Sequence, residues 1–206
     1  MPLIKINKLS KSFQDKKVLN EVSFYVQKGS FFAITGKSGC GKTTLLNILG
    51  KLEDPDSGEI IIDGKKLNEI RQKEYFANEV AFLFQNFALI ERKTVKQNLT
   101  IIRKGARTEV TIEEALRKVG LEDKENCKVY KLSGGEQQRV ALARVMMKKS
   151  KMILADEPTG SLDVENADLV MDVLRELVDH DLTLIDRVDI AVKITESGLE
   201  MIKNIK

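Results

Sequence analysis

The chain has 206 residues, 42% hydrophobic and 32% charged, and its 34 Lys and Arg against 31 Asp and Glu leave a net charge of +3. That length suits one domain with a substantial core, and the mixing of both charge signs excludes the basic blocks of a nucleic-acid-binding surface. The start, MPLIKINKLSKSF, holds no apolar run long enough for a secretory leader, and no window reaches the roughly 18 apolar residues of a membrane span, so a cytosolic chain is expected.

In chain order, KKVLNEVSFYVQKGSFFAITG (16–36) reads as two β-rich runs around a turn-like QKGS, the second a continuous apolar strand of the buried parallel type. TTLLNILG (43–50) repeats apolar residues at helical spacing and ends on Gly50, a natural stop. DPDSGEIIIDGKK reads as loop, short strand and turn, and VAFLFQ (80–85) as another buried strand. The pattern then turns helical, with TIEEALRKVG (111–120) opening on Thr111 and an acidic first turn. SKMILADEP (150–158) returns to a parallel-type strand, and VENADLVMDVLRELVD (164–179) is an amphipathic helix. Strands alternating with helices predict an α/β sheet, interrupted by a helical insert at about 87–149. Cys40 and Cys127 are too few and too far apart for a disulfide framework or a zinc site, and both read as reduced thiols.

GKSGCGKT (36–43) fits the phosphate-loop pattern G-x-x-x-x-G-K-[ST], with a strand before it and a helix after it. Gly36, Gly39 and Gly41 let the backbone curl so that N–H groups along Lys37, Ser38, Cys40 and Thr44 point at phosphate oxygens, and the helix adds its positive end. Lys42 then reaches the β- and γ-phosphates of ATP, and the Thr43 hydroxyl ligates Mg²⁺. Cys40 sits at a variable position of this loop, where bound ATP would shield it from alkylation; a neutral filler is the other reading.

KMILADEP pushes Asp156 and Glu157 to the carboxyl end of a buried strand, where α/β sheets bind ligands. Beside a phosphate loop, Asp156 would hold Mg²⁺ through its water shell, and Glu157 would orient and deprotonate the attacking water. Alone, such a pair also reads as a solvated strand end. LSGGEQQRVALAR (132–144) sets Ser133, Gly134 and Gly135 before an amphipathic helix, exposing N–H groups and a hydroxyl as a second anion site, or as a simple N-terminal cap. One chain has no second nucleotide for it unless another molecule supplies one.

LSGGEQQRVALAR resembles the signature of ATP-binding cassette (ABC) ATPases, and the resemblance covers nearly the whole chain. It implies one cassette over 1–206: a P-loop NTPase core (1–86 and 150–206) with a mostly parallel sheet, an antiparallel β subdomain, and a helical signature subdomain at 87–149. It implies that two copies pair head to tail, Ser133 and Gly135 of one meeting the γ-phosphate held by the other. Phe13 matches the aromatic that stacks on adenine, a buried core Phe being the alternative. Gln85 matches the glutamine that reaches Mg²⁺ and water and senses the membrane partner. SLD (161–163) matches the loop that crosses the dimer interface, with Asp163 also available as an N-cap. The partner implied is a separate transmembrane permease, with this chain peripheral on the inner face of the cell membrane. FLFQNFALIERKTVKQNL (82–99) with ILADEPTGSLD resembles the lipoprotein-release and macrolide-export branch, and FQNFALI resembles lactococcin-type bacteriocin exporters.

The family places a γ-phosphate-contacting histidine after a further core strand. Here HDLTLIDRVDIAVKI (180–194) resembles the family's histidine turn and final strand, yet it follows the 164–179 helix with no room for the strand between. The expectation is a missing core strand, which leaves two arrangements. Either the sheet keeps a gap and His180 loses its position, or LTLI (182–185) slides into the vacancy and Asp186 or Arg187 falls where the histidine belongs. Both predict slow or absent hydrolysis, with ATP binding, whose determinants lie before residue 165, suffering less.

Overall fold

The computed structural model describes residues 2–35, 39–84, 86–159, 162–179, 183–186, 190–195 and 198–203. The chain opens with two long antiparallel strands, β1 (Pro2–Phe13) and β2 (Lys16–Gln27), then β3 (Phe31–Thr35) and α1 (Lys42–Leu49). β4 (Ser57–Ile62) and β5 (Lys65–Lys66) make a hairpin turning on Asp63 and Gly64, both left-handed at φ 47° and 79°, as a two-residue primed turn requires. α2 (Gln72–Asn78) leads into β6 (Val80–Leu83). The helices α3 (Val95–Leu99), α4 (Ile112–Lys118) and α5 (Gly134–Met146) follow before β7 (Met152–Ala155). α6 (Val164–Asp179), β8 (Thr183–Asp186), β9 (Ile190–Thr195) and β10 (Gly198–Lys203) complete the order.

Two sheets result: an antiparallel one in the order β2-β1-β4-β5 and a larger one in the order β10-β9-β3-β8-β7-β6. In the larger sheet β9, β3, β8, β7 and β6 run parallel, and only β10 is antiparallel to its neighbour. Period-two alternation splits its residues between two cores. Val80, Met152 and Leu154 join Leu45, Leu46, Ile48 and Leu49 of α1 and the isoleucines of β1 and β4 on one face. Ala81, Leu83, Ile153 and Ala155 join α4, α5 and α6 on the other.

The α/β class, the antiparallel subdomain and the helical insert agree with the sequence expectation. The vacant strand position does not appear among the described strands. Thr183–Asp186 is hydrogen-bonded to both neighbours, with Leu184 opposite Phe31 and Ile153, and Ile185 opposite Phe32 and Leu154. Thr183–Asp186 thus lies between β3 and β7 in the sheet. The physical reason is that an open position would leave the backbone groups of β3 and β7 unpaired beside a buried core.

Gly50 ends α1 as expected but for another cause. Its φ is −79°, outside the left-handed region, and a Cβ there would lie 2.4 Å from Phe82 Cζ, so packing rather than backbone conformation demands glycine. Among the described residues no helix is long and apolar enough to cross a membrane.

Candidate nucleotide site and signature segment

The phosphate loop is described from Gly39 onward; Gly36, Lys37 and Ser38 lie outside the described residues. Gly39 and Gly41 stand at φ 77° and 99°, a region side chains rarely adopt. Gly41 is doubly constrained, because a Cβ would meet Val18 Cγ1 at 2.8 Å and Leu19 Cδ2 at 3.0 Å. Its carbonyl accepts from the Leu45 N–H at 2.9 Å and starts α1, whose first turn carries no acidic residue to neutralise the N-terminal N–H groups. Lys42 and Thr43 are the first two residues of that helix, so both leave it at the loop.

β7 delivers the carboxylates. All four of its residues are buried, and the Asp156 N–H that follows donates to the Leu83 carbonyl at 3.1 Å, continuing the β6–β7 ladder by one step. That step brings Asp156 to α1: the Thr43 hydroxyl donates to Asp156 Oδ2 at 3.1 Å, across 113 positions of sequence. A hydroxyl and a carboxylate oxygen converging beside open glycine backbone are the hard donors Mg²⁺ takes beside phosphate, so the donor set fits the ion. Next in sequence, Glu157 is exposed and left-handed at φ 51°, a conformation uncommon for a non-glycine residue. Strain of that kind at a strand end turns a side chain where regular geometry would not.

Phe13 ends β1 with 46% of its surface exposed, and the Lys11 ammonium lies 5.3 Å from the ring centroid. The alternative of a buried core phenylalanine is thereby excluded. Gln85 and His180 lie outside the described residues, as does Ser161.

At the second site, Ser133 is the N-cap of α5: its Oγ accepts from the Glu136 N–H at 3.2 Å while Glu136 Oε2 accepts from the Ser133 N–H at 2.8 Å. The cap leaves the Ser133 hydroxyl its proton, because a hydroxyl that accepts one bond can still donate. Gly134 has nothing within 4 Å of where a Cβ would stand. Asp163 caps α6 through its Oδ1, which accepts from the Asn166 N–H at 2.9 Å, and these bonds hold its carboxyl below the usual range.

The six-stranded sheet, the glycine loop at the start of α1 and the Thr43–Asp156 pair define a P-loop ATPase cassette. Residues 19–160 match the ABC transporter family. The chain is 39% identical over 197 residues to the macrolide export ATP-binding/permease protein MacB of Mannheimia succiniciproducens, covering 90% of this chain but only 31% of that protein. It is 35% identical to the lipoprotein-releasing system ATP-binding protein LolD of Colwellia psychrerythraea, covering 93% of this chain and 83% of that one. A solved dimer of the ATP-binding cassette MJ0796 in a post-hydrolysis state with ADP and Pi superimposes with a TM-score of 0.82 at 30% identity, over 97% of this chain and 98% of that one. The chain belongs to the ABC transporter family and is an ATP-binding ATPase cassette that uses ATP with Mg²⁺.

Proposed function

We propose that the chain, a single cassette over 1–206, powers a separate membrane permease, peripheral on the inner face of the membrane, and that two copies close on ATP. The observation that carries the reading is the meeting of Thr43 with Asp156, with Glu157 next in sequence. It rests alongside a signature segment whose Ser133 and Gly134 are exposed. Thr43, Asp156 and Gln85 would hold Mg²⁺, which supplies neutralisation of phosphate charge. Gly36 through Thr44 cradle the phosphates, Phe13 stacks on the base, and Glu157 takes the proton of the attacking water. Ser133, Gly134 and Gly135, with Asp163 nearby, meet the nucleotide held by the other copy. Export is the direction favoured, of a bacteriocin-like peptide, a lipid or a drug: FQNFALI supports the first, and relatives named for macrolide export and lipoprotein release support the others.

A second reading, a regulatory cassette that closes on ATP with little turnover, is favoured by β8. Its carboxyl end is Asp186, opposite Ala33 and one register step beyond the Leu154–Ile185 pair. Asp186, or Arg187 after it, then takes the sequence position that the family gives to histidine. Nucleotide binding and phosphate release by the purified chain and its Glu157→Gln variant separate the two. Turnover abolished by the substitution supports the motor, and equal binding with no turnover in either supports the regulator.

A further inference from the structure

Away from the nucleotide, a polar chain ties the signature helix to the start of α6. Asn166 Nδ2 donates to Asp163 Oδ1 at 2.9 Å and Oδ2 at 2.7 Å, while Asn166 Oδ1 accepts from Arg139 Nη1. The Arg139 Nε is buried with no hydrogen-bond partner among the described residues, and its Nη1 is held by Asn166. Packing follows the same path: a Cβ on Gly135 would stand 3.5 Å from Leu162 Cδ2 and 3.7 Å from Asn166 Cγ.

Capping explains only part of this. The Asn166 backbone N–H already meets Asp163 Oδ1, which completes an N-cap whatever side chain stands at 166. The side-chain amide is surplus to it. An amide of this length offers an acceptor to a cation and donors to a carboxylate at once, whereas Asp would oppose Asp163 and Leu would meet neither group.

We propose that Asn166 is a positioning residue that locks the 133–139 segment to the 162–163 turn, so that the two parts of one copy directed at the other copy's nucleotide move as a unit. Its role in turnover rests on the two-copy reading above; the tie itself does not.

The test compares amide hydrogen exchange in the native chain, Asn166→Leu, Arg139→Met and the double variant, without nucleotide and with Mg–ATP. Without nucleotide, Asn166→Leu speeds exchange at both 134–140 and 163–168 by about fivefold or more, and the double variant adds little to either single change because the two residues act through one tie. Acceleration confined to 163–168, or additive effects, overturns the proposal and leaves Asn166 as a local cap. With Mg–ATP, the native chain gains protection at 39–49 and at 132–140 together. Asn166→Leu keeps the first, loses the second, and lowers kcat about tenfold with KM within about twofold. Protection of 39–49 alone in the native chain overturns the two-copy reading, and with it the role in turnover, while the nucleotide-free arm still decides the tie.

Discussion

The two faces of the central sheet are held in different ways. On the nucleotide face, strand β7 turns Met152 and Leu154 toward α1 and a sheet rich in isoleucine, and glycines set the fit: Gly41 against Val18, and Gly58, at φ 98°, whose Cβ would lie 2.5 Å from the Lys8 carbonyl. On the helical face Ile153 and Ala155 meet short helices, three of which start with reciprocal capping boxes at Thr94, Thr111 and Ser133. Buried Asn98 on that face also bonds the Ile90 N–H and carbonyl and the Thr94 carbonyl. On the first face the close contacts at Gly41 and Gly58 leave no room for an added methyl at those two positions. The other is an assembly of helices whose N-terminal ends are separately fastened by their own caps.

The sharpest test of this division is chemical. Glu157→Gln lowers phosphate release by about 10²–10⁴-fold, the range for losing a general base, while nucleotide affinity measured by equilibrium binding stays within about threefold. Unchanged turnover would remove Glu157 from the chemistry.

Next come the cores. Leu45→Ala and Leu142→Ala each delete a fully buried side chain and cost about 2–5 kcal/mol in urea unfolding. Only the first lies directly behind the phosphate loop, so only Leu45→Ala weakens ATP binding in proportion. Equal loss of binding in both would merge the two faces into one unit.

A smaller effect depends on pH. Burial lowers the Lys148 ammonium to about 8 from an ordinary value of 10.5, while its Nζ donates to the Val80 carbonyl at 2.7 Å. Between those two values the unfolded chain binds more protons than the folded one, so stability rises as pH climbs from about 8 toward 10.5. Lys148→Met removes that rise, read as the urea midpoint at several pH values. A native midpoint flat over the same range would contradict the burial argument.

The smallest is a cap. Thr111→Ala loses the hydroxyl that accepts from the Glu114 N–H and donates to the Glu114 carboxylate, keeps the backbone arm of the box, and costs about 1 kcal/mol, without effect on nucleotide affinity. A change in affinity would mean that α4 is coupled to the nucleotide face.

Much of this was legible in the sequence because its signals are local. The run GKSGCGKT names its own loop, ILADE its own strand end, and TIEE and SGGE their own caps. β1 carries no such local signal: its buried Leu3, Ile4, Ile6 and Leu9 are interleaved with lysines, and its pairing with both β2 and β4, broken by register shifts, blurs any clean alternation. The left-handed Glu157 and the exclusion of a Cβ at Gly50 by Phe82 were hidden for a related reason, since each depends on a neighbour that only the fold supplies. The tie through Asn166 spans 27 positions and carries no motif. The C-terminal strands show the converse: the resemblance implies a shortage just before His180, whereas the seating of Thr183–Asp186 between β3 and β7 depends on backbone partners that only the fold supplies.

The central claim is that one chain holds a phosphate seat and a signature that only a second copy's nucleotide can complete. It is tested most directly by the molar mass of Glu157→Gln in Mg–ATP, measured by light scattering during gel filtration. The account predicts a dimer in ATP that reverts to monomer in its absence and fails to form when Ser133→Arg is added. A monomer at saturating ATP, with nucleotide bound, would contradict it.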